Sequence, residues 1–237
     1  MTLLYVIHKI IKPKNMNKSK VPHTLQNKAS DFLKRHYLVV NDIKLYPKEI
    51  EVYYYKEGVF EDGYVHRDSM QLNRSCKFYV HRKGRGGCDF VLSDSEDVYY
   101  SYLIRSVVIG DDLFVGPINS YEAILAKTGL SGRQLEQATV TVGISDREYN
   151  VLRDSRIGLT PKQDIDPFYL DAELRFILCD EYFRPRHDKR THYKRREKAF
   201  VKFMLHKMSN QRTLTMNDVV SETKCYLGYI PKILKIK

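Results

Sequence analysis

The chain has 237 residues, enough to bury a substantial core in one domain, and two full domains are less expected. Its 40 Lys and Arg residues outnumber 29 Asp and Glu residues, and the net charge of +11 favours a polyanionic partner such as nucleic acid. The four cysteines form no CxxC pair, which argues against a zinc ribbon or an iron–sulfur cluster, and no apolar stretch approaches the roughly 20 residues of a membrane-spanning helix.

The N-terminal residues 1–28 combine a short apolar run with lysine, asparagine and proline, and they are expected to form a basic arm. The apolar run is interrupted by His8 and Lys9 and lacks a small-residue cleavage site, so a secretory signal is not expected. Together with the scattered cysteines, this favours a cytoplasmic protein, associated with the nucleoid if it is bacterial. Ser30 is a suitable N-cap for a short helix over Asp31–His36.

Two apolar runs on either side of Asn41-Asp42 predict a β-hairpin, with its second arm continuing into residues 49–55. A strand with period two places alternate residues on opposite faces. Here one face carries Glu49, Glu51, Tyr53 and Tyr55, and the other carries Ile50, Val52 and Tyr54. Such a strand is either an edge strand with a solvated acidic face or the wall of a pocket that presents a carboxylate and aromatic rings.

The sequences CKFYVHR, GCDFVLS and YYSYLIRSVVI predict three more strands, the last ending near Arg105, with a turn at Asp111 and Asp112. KGRGG, between the first two, is a basic glycine-rich turn that can approach phosphate, but it lacks the spacing of a nucleotide-binding P-loop.

Helical spacing begins after a predicted cap at Asn119 or Ser120 and ends at Gly129. Ser131 and Gln134 have the spacing of a capping box for a second helix. The sequences ATVTVG, SRIGLT and AELRFILCD then predict strands, with a loop around residues 144–154.

The tract RPRHDKRTHYKRREK is too basic for a packed core, and AFVKFMLHKM after it can form an amphipathic helix. The tract is either a solvated helix face or a phosphate-binding tail. We therefore divide the chain into a basic arm over 1–28, a central domain over 29–180 and a basic helical extension over 181–237.

Seven short blocks occur in this order: IEVYYY, YVHRDSMQLN, FYVHRKGRGGCDF, YLIRSV, VGPINSYEAILAKTGL, SRIGL and ELRFIL. Over residues 45–178 their order and spacing resemble those of the alkyladenine (3-methyladenine) DNA glycosylases of the MPG type. The resemblance implies an α+β single domain around a curved antiparallel β-sheet with a few helices, flanked here by basic N- and C-terminal extensions. It also implies a monomer that uses no metal or other cofactor and that binds double-stranded DNA.

Such an enzyme rotates a nucleotide out of the duplex, and water then displaces the base from C1′ of the sugar. The resemblance implies Glu51 as the catalytic carboxylate, Tyr53 as a stacking ring, and Arg105 as the residue that holds the water and the carboxylate. An ungapped alignment of the same block instead puts Tyr53 at the catalytic position. For Arg105, burial at the end of an apolar run also requires a charged partner.

The pocket histidine of the family matches Tyr64, although His66 lies on the same side of an extended strand and can take that role. His81 corresponds to a stacking tyrosine, and Asp89 lies near a pocket-floor asparagine. Asp89 reads the base, acts as a second carboxylate or caps a turn. The intercalating residue matches Gly84, which cannot act as a wedge, so either Arg82 or Arg85, or a residue of another loop, is expected to fill the gap left by the extruded base. The predicted phosphate-binding residues are Arg82, Lys83, Arg85, Arg184, Arg186, Lys189, Arg190, Lys194, Arg195 and Arg196.

The first hypothesis is therefore a monofunctional DNA glycosylase for a damaged or modified base, with no lysine placed to form a Schiff base. The departures around the pocket are compatible with a larger substrate, such as a hypermodified pyrimidine of phage DNA, which would make the protein an antiviral enzyme. Two alternatives remain: a binding module that has lost the chemistry, and a nuclease that uses His66 and His81 with Arg105.

Overall fold

A computed structural model describes residues 21–81, 86–145, 149–180 and 215–227, and single positions after residue 200. Within these residues the fold is α+β and is built on a curved antiparallel sheet, as expected from the sequence. The elements are α1 (His23–Arg35), β1 (His36–Val40), β2 (Ile43–Lys56), β3 (Phe60–Glu61), β4 (Lys77–Val80), β5 (Cys88–Val91), β6 (Val98–Ile109), β7 (Asp112–Val115), α2 (Pro117–Thr128), α3 (Gly132–Gln137), β8 (Thr141–Ile144), β9 (Asn150–Asp154), α4 (Phe168–Asp171), β10 (Arg175–Cys179) and α5 (Met216–Leu227).

The chain divides into two compact units. The larger contains α1 to β9 and β10, and therefore the whole sheet. The described part of the smaller includes α4 and α5 and has a core of Val201, Met204, Val219 and Leu234. None of the helices within the described residues has the length and apolar character needed to cross a membrane.

The long strand β2 is central to the sheet. One edge pairs with β6 along almost its full length, and the other edge pairs in succession with β1, β10 and β3. The sheet continues from β6 through β5 to β4, and from β10 to β9. The prediction that residues 49–55 could form a solvated edge strand is therefore wrong, because both edges of this segment are hydrogen-bonded.

One face of the sheet packs against α1 and forms the main core of the larger unit. The ring of Phe32 in α1 lies 5.0 Å from that of Tyr102 and 5.8 Å from that of Phe90, measured between ring centroids. Ile50 and Val52, on the same face as Tyr102, are fully buried. The alternation predicted for β2 is confirmed, since the acidic and aromatic residues lie on the opposite face.

The hairpin predicted around Asn41-Asp42 is confirmed, with a two-residue turn between β1 and β2. Both turn residues have positive φ, 49° and 61°, as a type I′ turn requires. The first helix differs from the prediction: it begins at His23 after Pro22, so Ser30 lies inside it. Proline at the N-cap, with its fixed φ, precedes a longer amphipathic run than the Ser30 signal indicated.

Other boundaries also differ from those predicted. The strand containing Arg105 continues to Ile109, so this arginine lies inside β6. Helix α2 begins after Gly116 with Pro117 in its first turn, earlier than the predicted Asn119 or Ser120 cap. Its end at Gly129 in the left-handed conformation and the Ser131/Gln134 capping box are confirmed.

Within residues 144–160, the predicted loop is a strand and the predicted strand is irregular. Strand β9 occupies Asn150–Asp154, where a loop was expected, and SRIGLT is not a strand. Residues 150–154 form a strand because they pair with β10. Ser155 and Arg156 lie beyond this pairing, and both are buried.

The turn between β1 and β2 gives a stability prediction. Replacing Asp42 with Gly is expected to stabilise the protein by less than about 1 kcal/mol, because relief of the left-handed conformation, about 1–2 kcal/mol for a non-glycine residue, exceeds the extra conformational entropy that glycine loses on folding. Denaturant unfolding measures the change. Asp42→Ala is the matched variant and is expected to destabilise; a loss of stability in the glycine variant would contradict the turn geometry.

Candidate active site

The face of the sheet opposite α1 carries a row of mainly polar residues. Residues that pair directly across neighbouring strands project from the same face. From β9 to β4, the directly paired residues are Asp154, Arg175, Glu51, Leu103, Asp89 and Tyr79. Two clusters of charged and hydrogen-bonding side chains therefore lie on one face, with Leu103 between them.

The first cluster is centred on Glu51, which has no exposed surface. Its Oε1 lies 3.2 Å from Nη1 of Arg105 and accepts a hydrogen bond of 2.7 Å from the backbone N–H of Ile157. Its Oε2 accepts a hydrogen bond of 3.1 Å from the hydroxyl of Tyr53. Burial raises the pKa of Glu51 above its usual value, although Arg105 and the Ile157 amide oppose the increase.

Arg105 joins Glu51 to a second buried carboxylate. Its Nε donates to Oε1 of Glu49 over 3.1 Å, and Nη1 of Arg175 donates to the same oxygen, also over 3.1 Å. Arg175 in turn pairs with Asp154. The register between β2 and β6 shifts twice between Pro47 and Ile50, next to Arg105. This irregularity lets the one guanidinium reach both Glu49 and Glu51.

A buried ion pair lies beside the first cluster. Arg156 and Asp62 are both fully buried, with Nη1 of Arg156 2.6 Å from Oδ2 of Asp62. The guanidinium lies 4.6 Å from the ring centre of Tyr53 and 5.9 Å from that of Tyr64. Arg156 thus fixes two of the predicted base-pocket rings through cation–π contacts.

The second cluster is a histidine–carboxylate pair. Nε2 of His81 lies 2.7 Å from Oδ1 of Asp89, and the other oxygen of Asp89 accepts hydrogen bonds from Ser101 (2.8 Å) and Gln71 (3.2 Å). Burial lowers the pKa of His81, but the Asp89 carboxylate raises it by charge and by hydrogen bonding, and the net pKa lies above the ordinary value. Asp89 is thus no turn cap.

Two more aromatic rings surround His81. The rings of His66 and Tyr79 lie 4.9 Å and 5.5 Å from it. His66 is exposed, and it belongs to the segment before the 3-10 turn Ser69–Gln71 that positions Gln71. The prediction that His66 lies on the pocket side is consistent with this position, whereas Tyr64 is buried near Arg156.

The structure thus places the predicted residues in two neighbouring groups. Glu51, Arg105, Tyr53 and Tyr64 belong to the first, and His66, His81 and Asp89 to the second. Of the two candidates for the catalytic position, Glu51 is the one that Arg105 contacts, and Tyr53 serves it as a hydrogen-bond donor.

The predicted phosphate-binding residues and the predicted wedge lie outside the described residues. These are Arg82, Lys83, Gly84, Arg85, Arg184, Arg186, Lys189, Arg190, Lys194, Arg195 and Arg196. The end of the glycine-rich segment is described: Gly87 has φ of +109°, and a Cβ there would lie 3.2 Å from Pro117. Glycine is required at this position both for its backbone conformation and for the close approach of α2.

Four residues of the first cluster and of the adjacent buried ion pair were not predicted from the sequence. They are Arg175, Arg156, Asp62 and, as a partner of Arg105, Glu49. The signal for Arg175 was present, because an arginine within the apolar run LRFIL must find a buried partner, as was argued for Arg105. Arg156 and Asp62 gave no comparable signal, since each lies in an irregular segment.

Within residues 21–81, 86–145 and 149–180 and the described positions beyond them, no group of three or more His, Cys, Asp or Glu side chains could hold a metal ion. No protein-family model matches the chain, and no curated protein matches its sequence.

Proposed function

We propose that this protein is a monofunctional DNA glycosylase, which binds double-stranded DNA, rotates a damaged or modified nucleotide out of the helix and hydrolyses its N-glycosidic bond. The observation that supports this proposal best is the buried contact between Glu51 and Arg105, flanked by the rings of Tyr53 and Tyr64. It combines a carboxylate, a cation that holds it and aromatic surfaces for a base.

Glu51 is the residue that we assign to water activation. Each carboxylate oxygen can accept two hydrogen bonds; among the described residues Oε1 receives contacts from Arg105 and Ile157, and Oε2 receives one from Tyr53. A water molecule can therefore donate to Oε2. The carboxylate accepts the proton of this water as it attacks C1′, and its negative charge stabilises the oxocarbenium character of the sugar.

Arg105 has two functions in this scheme. It contributes positive charge that favours the ionised form of Glu51 against the effect of burial, and its bond to Glu49 fixes the guanidinium in place. Since Glu51 has no exposed surface, a substrate reaches it only when the side chains that cover it move aside. Water is then excluded again around the reacting sugar, which strengthens these interactions.

The direct test measures the two products separately. Duplex oligonucleotides that carry an alkylated purine, a deaminated purine or a hypermodified pyrimidine are incubated with the protein. The free base is quantified by chromatography, and abasic sites are detected as strand breaks that appear only after alkali. Release of a free base with alkali-dependent breaks is expected. A hypermodified pyrimidine as the preferred substrate would support a role in antiviral defence.

The histidine pair supports a second candidate, a nuclease. The rings of His66 and His81 are 4.9 Å apart, and two such groups can serve as acid and base in phosphodiester cleavage. This candidate predicts strand breaks without alkali and no free base. Binding without either product would instead indicate a nucleic-acid-binding module.

The charge of the chain gives a further prediction about DNA binding. The excess of 11 positive charges predicts an affinity for duplex DNA that is dominated by phosphate contacts. If six to ten phosphates are contacted, affinity is expected to fall by about 10³–10⁵ between 50 and 200 mM salt. Fluorescence anisotropy over this salt range measures the slope, and affinity independent of salt would contradict a phosphate-dominated interface.

A further inference from the structure

A cavity at the end of β2 lies outside both clusters and takes no part in the proposed reaction. We propose that this cavity is a carbohydrate subsite, which holds a sugar attached to the target base. The substrate class is then DNA in which a base bears a sugar substituent. The inference rests on the proposed glycosylase function and names the kind of base that is released.

The cavity has a volume of about 430 Å³ and is open to solvent. It is lined by Tyr55, Lys56, Glu57, Arg67, Asp97 and Tyr99. Tyr55 and Tyr99 pair directly across β2 and β6, so both rings project from the face that carries Glu51. Their ring centroids are 6.1 Å apart and their planes are inclined at 70°, and both side chains are partly exposed. The two rings therefore form an aromatic corner inside the cavity.

Hydrogen-bond donors surround this corner and are not used by the protein. Among the described residues, neither the hydroxyls of Tyr55 and Tyr99 nor the guanidinium of Arg67 forms a hydrogen bond. Cζ of Arg67 lies 4.8 Å from the ring centre of Tyr55, so the guanidinium is held by a cation–π contact. Its N–H groups remain available to a ligand.

Asp97 supplies the acceptor on the other side of the cavity. Its Oδ1 accepts a hydrogen bond of 2.6 Å from the hydroxyl of Ser95, and its Oδ2 lies 3.2 Å from Nζ of Lys56. The hydrogen bonds from Ser95 and Lys56 lower the pKa of Asp97, so the carboxylate is ionised at neutral pH. Each oxygen can accept one further hydrogen bond.

Arg67 reaches the cavity through an uncommon backbone conformation. Its φ is 50°, in the left-handed region that residues with a side chain rarely adopt. The next residue, Asp68, caps the 3-10 turn Ser69–Gln71, and this capping fixes the chain on the C-terminal side of Arg67. Strained backbone of this kind is concentrated where a side chain must be held in place for a ligand.

A sugar matches these groups better than a charged ligand does. Each sugar hydroxyl both donates and accepts, so it can donate to Asp97 and accept from Arg67 or from a tyrosine hydroxyl. The C–H face of a pyranose ring can pack against an aromatic ring by dispersion. A phosphate only accepts and is repelled by the carboxylates of Asp97 and Glu57, whereas a cation is repelled by Lys56 and Arg67.

The cavity is aligned with the proposed reaction centre. Glu51, Tyr53 and Tyr55 share one face of β2, and Tyr55 is four residues beyond Glu51, about 13 Å along the strand. A base that stacks on Tyr53 with its C1′ at Glu51 therefore directs its outer edge towards Tyr55. A sugar on that edge enters the cavity beside the ring of Tyr99.

The test uses two duplexes that differ only by a glucose on one 5-hydroxymethylcytosine. Affinity is measured by fluorescence anisotropy with the Glu51→Gln protein, so that base release does not consume the substrate. The glucosylated duplex is expected to bind about tenfold more tightly, the contribution of one hydrogen bond to a charged side chain. Tyr99→Ala and Arg67→Ala are each expected to abolish this difference. The matched control is Lys44→Ala, which removes a cation 5.4 Å from the ring of Tyr37 outside the cavity and is expected to keep it.

Methyl glucoside distinguishes a sugar on a base from a free saccharide. It is expected to compete only weakly with the glucosylated duplex, because it lacks the base and the DNA backbone. Binding of methyl glucoside as tight as that of the glucosylated duplex would identify a site for free saccharides and overturn the inference. Equal affinity for the two duplexes, or a difference that survives both cavity variants, would overturn it as well.

Base release by the wild-type protein separates this inference from the proposed function. In single-turnover reactions, the glucosylated base is expected to be released faster than 5-hydroxymethylcytosine or an alkylated purine. Release of the alkylated purine without preference for the sugar overturns the inference and leaves the glycosylase proposal in place. Tighter binding of the glucosylated duplex without release of any base overturns the glycosylase proposal and leaves the carbohydrate subsite.

Discussion

Replacing Glu51 with Gln is expected to reduce the single-turnover rate of base release by about 10²–10⁴-fold, the usual contribution of the general base that we propose it to be. The amide has nearly the same shape and can still accept from the Ile157 N–H, but it cannot take a proton from water or oppose positive charge on the sugar. Affinity for the duplex is expected to remain, because Glu51 is buried and contributes nothing to phosphate contacts.

The matched control is Glu57→Gln, which makes the same chemical change at an exposed position just beyond β2. It is expected to keep full activity. Thermal unfolding and duplex affinity are measured for both variants, so a loss of fold is distinguished from a loss of chemistry. Formation of abasic sites at the wild-type rate by the Glu51→Gln variant would contradict the assignment of Glu51 as the catalytic residue. Tyr53 would then be the candidate for that position.

Breaking the pair between Arg156 and Asp62 has the largest expected effect on stability. Replacing Arg156 with Met leaves the carboxylate of Asp62 buried without its cation, and loss of one partner of a buried pair costs about 3–5 kcal/mol. The cation–π contact with Tyr53 is lost at the same time. Denaturant unfolding monitored by circular dichroism gives the free energy of unfolding.

A double variant and a surface pair provide the controls. Adding Asp62→Asn removes the unpaired charge and still leaves an acceptor for the backbone N–H of Tyr64, so most of the lost stability is expected to return. The exposed pair Lys127–Asp112, with atoms 3.0 Å apart, is the contrast: Asp112→Asn is expected to cost less than about 1 kcal/mol. Equal costs at the two sites would contradict the importance given to burial.

Local signals in the sequence were sufficient for elements whose ends are fixed by nearby residues. The hairpin at Asn41-Asp42 and the capping box at Ser131 depend on a few adjacent side chains and were confirmed. The strand β9 was missed because Asn150–Asp154 has little alternation, and it is a strand through pairing with residues 175–179. Such long-range pairing leaves no local pattern to detect.

The candidate site shows the same difference between residues with a signal in the sequence and residues joined only by long-range contacts. Glu51 and Arg105 were selected from the residues and the family resemblance, and the structure places them in contact. Asp62 and Arg156 were not selected, because they lie 94 positions apart in irregular segments and only the folded chain joins them. The link between Glu49 and Arg105 depends on the irregular register of β2 and β6, which alternation alone does not predict.

The row of paired residues across the sheet also determines when the cluster around Glu51 can form during synthesis of the chain. Glu51 gains its last partners from Ile157 and from the neighbouring strand at Arg175, more than 100 positions later in the chain. The carboxylate of Glu51 therefore remains hydrated until most of the chain has left the ribosome. Pairing over such separations also slows folding, because the entropy of closing long loops is lost before these contacts form, and the cluster around Glu51 is completed late in that process.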